Sequence, residues 1–507
     1  MKKILLPVLG IFLLASCAKE IPAPSAADQS IVPFEELQAM VENQLSQGEI
    51  FYWSTASDEV IYSAGMHADS LFTIGYTSSA AFDIDAHIHE LDLKAAEWIE
   101  ARKKIEDLIV GYESKLQGEK LTIEDLSPYG DEDVFPQIIV RLTSQDLITK
   151  LRSLPTVRYV EPLGFSIEDK ALSVRSGQGC SSSPDYNINS ADYTTVSPGT
   201  KLPWNFPLHD IDDAWASSQG DNIRIAILDT GASNNQDNLG SQFTSGWSGG
   251  RNIIKASTIQ SGSWWWASTD SPHDDCGHGT SMAGFAAAPR GTDGNAVGVA
   301  YKADLLTINC SQDVIISTSN ERKGVRDAMK MAGNRSDTKI ISMSLGTPFY
   351  SGTVADGVKY AYNRGKLIFA AAGTSLSWTS WYPVIFPATM SQCRAVTGVR
   401  DGEGMQRCVT CHSGKQVDFV ITMERANDDD RTSISLASST NQPKYTGGSS
   451  CATATTAGIA ALIWSQNLSA SRDDVLQAMK DASQYYPSRH SQFGWGKVNA
   501  AGAVGNL

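Results

Sequence analysis

The second half of the chain carries the strongest constraint on the fold. Five apolar runs, IRIAIL (223–228), ADLLTI (303–308), KIISMSL (339–345), KLIFAAA (366–372) and CRAVTGV (393–399), are bounded by turn-forming residues. Helical patterns such as ERKGVRDAMKMAG and TVADGVKYAYNRG lie between several of them. Strands that are apolar at nearly every position are covered on both faces, and strands alternating with helices pair in parallel. The expected class is therefore α/β, a doubly wound, mostly parallel sheet with helices on both faces, over about 204–507. In such sheets, sites assemble at the carboxyl ends of strands.

With 507 residues, more than one domain is expected. VFPQIIVRLT reads as a strand, SQDLITKLRSL as a capped amphipathic helix and TVRYVEPL as a second strand, giving a small α+β unit at about 134–165. It belongs to an N-terminal region of 34–175, where helical spacing at 92–116 is the other clear signal. The polar, aperiodic stretch 176–203 reads as an exposed linker, where proteolytic nicking concentrates.

At the start, Lys2 and Lys3 precede ILLPVLGIFLLAS and then Cys17, the layout of a secretory signal too short for a stable membrane span. LASC (14–17) resembles the bacterial lipobox. That resemblance implies lipidation of Cys17 and an exported protein held to a membrane on its periplasmic or cell-surface side, with 18–33 as tether. An ordinary signal with an unrelated Cys is the alternative. Export permits disulfides among the other seven cysteines, an odd number that leaves at least one unpaired. A net charge of -15 argues against nucleic acid as the main partner.

Three chemically apt residues stand at element ends. Asp229 follows the strand IRIAIL, His278 precedes a small-residue helical run, and Ser450 opens the helix SSCATATTAGIAALIWSQ. Serine is a weak nucleophile near neutral pH. A histidine must take its proton, and a carboxylate must orient that histidine.

In these motifs the chain resembles the subtilisin-like serine peptidases, the subtilases. AILDTG, HGTSMAG and GSSCA stand in the family's Asp, His, Ser order, and GWGKVNAAGAV resembles its C-terminal end. The resemblance covers about 204–507 and implies Asp229, His278 and Ser450 as the catalytic triad of a serine endopeptidase. Ser449 would support the turn and Cys451 would pack inward.

The resemblance also assigns the oxyanion donors as the Ser450 N–H and the side chain at Thr374, where relatives usually carry Asn. The Thr hydroxyl has a shorter reach, and losing such a donor costs about 10²–10³ in turnover, a figure that comes from this family. Two readings follow: an active enzyme, or a catalytically impaired subtilase-fold protein that binds polypeptide.

Substrate-binding positions implied by the family are Ser344, Leu345 and Gly346 on one side, Ala371, Ala372 and Gly373 on the other, and Ile385 near the floor of a shallow pocket. The tail LRSLPTVRYVEPL resembles that of inhibitory propeptides, which implies self-processing within 165–203 and the propeptide as an intramolecular inhibitor. Polypeptide substrates, a monomer and no cofactor for catalysis are expected, with structural calcium conceivable.

Other motifs compete. CVTCH (408–412) matches c-type haem attachment, against a disulfide drawn from Cys393, Cys408 or Cys411; Cys276 is a candidate partner of Cys310. ANDDDR (426–431) reads as a calcium loop or a solvated one, His87 and His89 as metal ligands or a surface turn, and GSWWWASTD (262–270) as loop packing or an aromatic substrate wall.

Overall fold

The computed structural model describes residues 30–130, 132–167, 180–261, 268–374 and 383–507. Cys17, the signal segment, most of the tether and residues 262–267 of the Trp-rich motif lie outside the described residues.

The N-terminal unit begins well before the expected α+β segment. Helices α1 (Phe34–Ser46) and α2 (Asp58–Met66) precede β1 (Leu71–Tyr76), and α3 (Ala96–Gln117) follows it. Then come β2 (Gln137–Arg141), α4 (Gln145–Arg152) and β3 (Val157–Pro162). The sheet order is β2-β1-β3, antiparallel throughout, with Ile74 opposite both Ile138 and Val160. Every residue of β1 is buried, so LFTIGY shows no alternation that would mark it as a strand.

In the second half, β4 (Tyr193–Val196) and β5 (Thr200–Pro203) form a hairpin. The main sheet contains β6 (Arg224–Asp229), β7 (Ile253–Ser257), β8 (Asp304–Asn309), β9 (Thr338–Met343), β10 (Leu367–Ala371), β11 (Cys393–Arg400), β12 (Val417–Arg425), β13 (Asp428–Leu436) and β14 (Pro443–Thr446). Its order is β14-β13-β12-β11-β10-β9-β6-β8-β7. The strands from β7 to β12 are parallel, and β13 and β14 are added antiparallel. Chain order reverses beside β6, so the carboxyl end of β6 lies at the switch point where sites form.

Helices cover both faces. Ile225 and Ile227 face a core with α5 (His278–Ala287) and α8 (Gly448–Trp464), while Ala226 and Leu228 face α6 (Ser319–Asn334) and α7 (Gly352–Asn363). Small residues in α8 allow close approach: a Cβ on Gly458 would stand 2.6 Å from the Val299 side chain.

The expected linker at 176–203 is overturned from residue 180 onward. Cys180 is bonded to Cys276, Ser438 N–H donates to the Ser182 carbonyl at 3.0 Å, and Asp185 N–H to that of Pro443 at 3.0 Å. Most of the stretch is exposed or half-buried, yet these bonds fix it to the catalytic half. Asp192 is fully buried and accepts from Arg425, Arg431 and Tyr445. The expected Cys276–Cys310 pair is likewise corrected, since Cys310 is a free, buried thiol. Cys408 and Cys411 are joined to each other, so neither sulfur is available for a haem thioether.

Candidate active site

Asp229 ends β6 and is fully buried. Its Oδ1 accepts the Thr230 N–H at 2.8 Å and stands 2.7 Å from His278 Nδ1. Nδ1 therefore carries the proton in the neutral ring, leaving Nε2 as the acceptor. Asp229 Oδ2 has no hydrogen-bond partner among the described residues.

The two Gly-containing motifs fit by backbone contact. His278 is the first residue of α5, after Gly277 with φ of 87°. A Cβ on Gly279 would lie 2.3 Å from the Gly231 carbonyl oxygen, so the turn after Asp229 and the start of α5 meet only through glycine. Sequence reasoning missed Asp274. This buried carboxylate accepts from Gly277 N–H (2.7 Å), Thr280 N–H (2.7 Å), Thr280 hydroxyl (2.6 Å) and Thr230 hydroxyl (2.8 Å). It ties the strand carrying Asp229 to the helix carrying His278. Burial pushes its carboxyl above the ordinary range despite these donors.

Ser450 lies in the first turn of α8, where backbone N–H groups lack intrahelical acceptors and the helix dipole is positive. Ser450 and His278 line the same groove, of about 510 Å³. Cys451 turns inward and is fully buried, its thiol pushed well above the usual range by desolvation, which leaves it inert as a nucleophile. Thr374 also lines the groove. Its Oγ1 accepts the Ser449 N–H at 3.2 Å and stands 2.8 Å from Ser449 Oγ, which accepts the Gly373 N–H at 3.2 Å.

The expected substrate-binding positions gather nearby. Ser344 Oγ donates to the Ser450 carbonyl at 3.1 Å, and Leu345 is buried. Ala371 and Ala372 are buried behind the surface, and Ile385 N–H donates to the Ala372 carbonyl at 3.0 Å. Ile385 lies over Gly346, where an added Cβ would meet its Cδ1 at 2.4 Å. Gly346 itself is occupied. Its N–H donates to the Val314 carbonyl at 3.1 Å, and its carbonyl accepts Ile316 N–H at 2.9 Å.

Remaining candidates disperse. His87 Nδ1 is 2.7 Å from Glu90, and no group of three or more His, Cys, Asp or Glu residues suited to a metal occurs among the described residues. His412 is buried with Nδ1 against the Pro383 carbonyl.

A family model described as the subtilase family matches residues 220–496. Thermitase of Thermoactinomyces vulgaris is 28% identical over 291 residues, 57% of this chain and 91% of the relative. A thermostable alkaline protease of Halalkalibacterium halodurans is 30% identical over 285 residues, 56% of this chain and 68% of the relative. M-protease of Shouchella clausii is 25% identical over 454 residues, 89% of this chain and 96% of the relative.

Proposed function

The chain belongs to the subtilase family and is a serine-type endopeptidase, and on that premise we propose that it cuts polypeptides through Asp229, His278 and Ser450. The observation that carries this reading is the buried Asp229–His278 pair opening onto the groove that holds Ser450. Ser450 Oγ attacks the peptide carbonyl as its proton passes to His278 Nε2. Asp229 holds the ring and stabilises the imidazolium. The proton then goes to the departing amine, and water attacks the acyl-enzyme by the same route in reverse. The Ser450 N–H and the Thr374 hydroxyl are the proposed oxyanion donors. Catalysis in this family needs no cofactor.

The N-terminal unit is proposed as an inhibitory propeptide. Supporting this, Glu161 at the end of β3 caps α7, accepting from Gly352 N–H at 2.9 Å, Thr353 N–H at 3.0 Å and the Ser351 hydroxyl at 3.2 Å. Arg158 forms a two-pronged pair with buried Asp356 at 3.0 and 2.6 Å. Because Cys180 is tied to Cys276, processing is proposed between Phe165, still packed in the N-terminal core, and Cys180. Export and lipid anchoring through Cys17 complete the reading. A non-cutting polypeptide binder is the second reading, favoured by the engagement of Thr374 with Ser449.

Treatment with a fluorophosphonate, followed by mass spectrometry, tests the assignment. Label on Ser450 that is lost in Ser450→Ala is the expected result. Unlabelled protein that is folded and free of its N-terminal unit would shift the reading to the binder.

A further inference from the structure

The groove at Ser450 has two unlike ends. At one, Val314 and Ile315 run beside Gly346, a substrate-binding position implied by the family and taken here to receive the acyl side of the substrate. Elsewhere in the lining Thr374 is bridged to Cys411, next to Thr410 and Val409, whose N–H reaches Glu424; with Asp429, Asp430 and Thr432 these form the second end. With the acyl side at Gly346, the peptide leaves Ser450 along this second end.

The charge there is one-sided. Glu424 is neutralised by Arg400 Nε at 2.6 Å and also accepts the Val409 N–H. Lys444, in the lining, is 4% exposed and donates its ammonium to the Ser181 carbonyl. Asp429 and Asp430 are exposed, and neither is in an ion pair with another described residue.

Their position is held firmly. They lie at the start of β13, just after its turn from β12. Asp192 braces both strands of that hairpin, accepting from Arg425 Nε at 3.1 Å, Arg431 Nε at 2.8 Å and Arg431 Nη2 at 2.7 Å. The Tyr445 hydroxyl, from the groove lining, reaches the same carboxylate at 2.6 Å.

We propose that Asp429 and Asp430 are specificity-determining residues that select Lys or Arg within the first three positions after the scissile bond. The inference rests on the triad proposed above and on Gly346, a substrate-binding position implied by the family, taking the acyl side of the substrate. An extended peptide advances about 3.3 Å per residue, so a long basic side chain sweeps the hairpin as the strand leaves Ser450. Each exposed pair is worth about 0.2–1 kcal/mol, so two carboxylates acting together give a preference in kcat/KM of about 2- to 30-fold, and of about 3- to 10-fold in the middle of that range.

The test uses the processed enzyme and peptide pairs of one composition. In one member Lys lies two residues after the cut and Gln far from it; in the other they are exchanged. Net charge is equal, so long-range steering is equal. The expected result is faster cleavage of the first peptide by about 3- to 10-fold, shrinking as salt rises. In Asp429→Asn/Asp430→Asn the ratio falls below about twofold. In Asp473→Asn/Asp481→Asn, on the remote helix Arg472–Asp481, it is retained. Equal rates in the wild type, a ratio unmoved in the Asp429/Asp430 variant, or a preference confined to residues before the cut would each overturn the role of Asp429 and Asp430 while leaving the peptidase intact. Absence of both cleavage and Ser450 labelling would remove the peptidase and this selectivity together.

Discussion

In the proposed mechanism, oxyanion stabilisation turns on one proton at Thr374. Its Oγ1 already accepts the Ser449 N–H, so its own hydrogen goes either to Ser449 Oγ or to the substrate. If Ser449 is the donor of that pair, Thr374 is free to serve the oxyanion. Thr374→Val keeps the shape and removes the hydroxyl; kcat is expected to fall by about 10²-fold with KM little changed, while Thr374→Ser stays within about tenfold of wild type. An unaltered kcat in the valine variant would take Thr374 out of the mechanism. Asp274 presents a different problem. Asp274→Asn removes the charge and half of the acceptors shared by four donors, and is expected to cost about 2–4 kcal/mol. Urea unfolding of Ser450→Ala with and without the change measures it; a loss under about 0.5 kcal/mol would mean that the donors find other partners. The candidate triad was legible because acid, imidazole and hydroxyl each follow or open an element. Asp274 was not, because it stands next to Asp275. One is 2% exposed, the other has a side chain 97% exposed, and local sequence holds nothing that separates them.

Among elements, the parallel strands were readable because burial on both faces makes them continuously apolar. The edge of the sheet was not. β13 begins with three exposed aspartates, and its Arg431 is held by Asp192, which is distant in sequence. Composition marks 176–203 as a linker because it reports solvent preference and is blind to a buried carboxylate such as Asp192 that three side chains satisfy. The strip 314–316 was also invisible, since a backbone bridge depends on no side-chain pattern. It has a consequence for binding. A substrate strand that pairs with Gly346 must displace Val314 and Ile316, which now hold both of its backbone groups. Hydrogen exchange at the Ile316 amide is therefore expected to accelerate when a peptidyl inhibitor is bound covalently at Ser450. Unchanged protection of Ile316 in that adduct would place the acyl strand elsewhere.

For the whole molecule, two buried histidines set an acid limit to stability. His209 accepts the Thr422 N–H at Nε2 (2.9 Å) and lies 3.1 Å from the Val498 carbonyl through Nδ1, linking β12 to the C-terminal segment. His412 follows the Cys408–Cys411 bridge beside Gly373. Burial pushes each imidazole down to about 4. An unfolded histidine titrates near 6.5, so between these values the unfolded chain binds more protons than the native one. Their contribution is fully present above about 6.5 and is lost as pH falls toward 4, by about 3 kcal/mol at most for each. Several buried carboxyls act in the opposite sense. Glu161, Asp274 and Asp418 are raised by desolvation, so protonation favours the native state there. A single melting curve against pH therefore mixes both signs, and a difference between variants is needed. In a Ser450→Ala background, which prevents self-digestion, the unfolding free energy of His209→Gln relative to the parent should change with pH only between about 7 and 4. The parent should lose its advantage progressively on acidification, because glutamine has no proton to gain. A gap that stays constant across that range would mean that His209 is not the group whose protonation the fold resists.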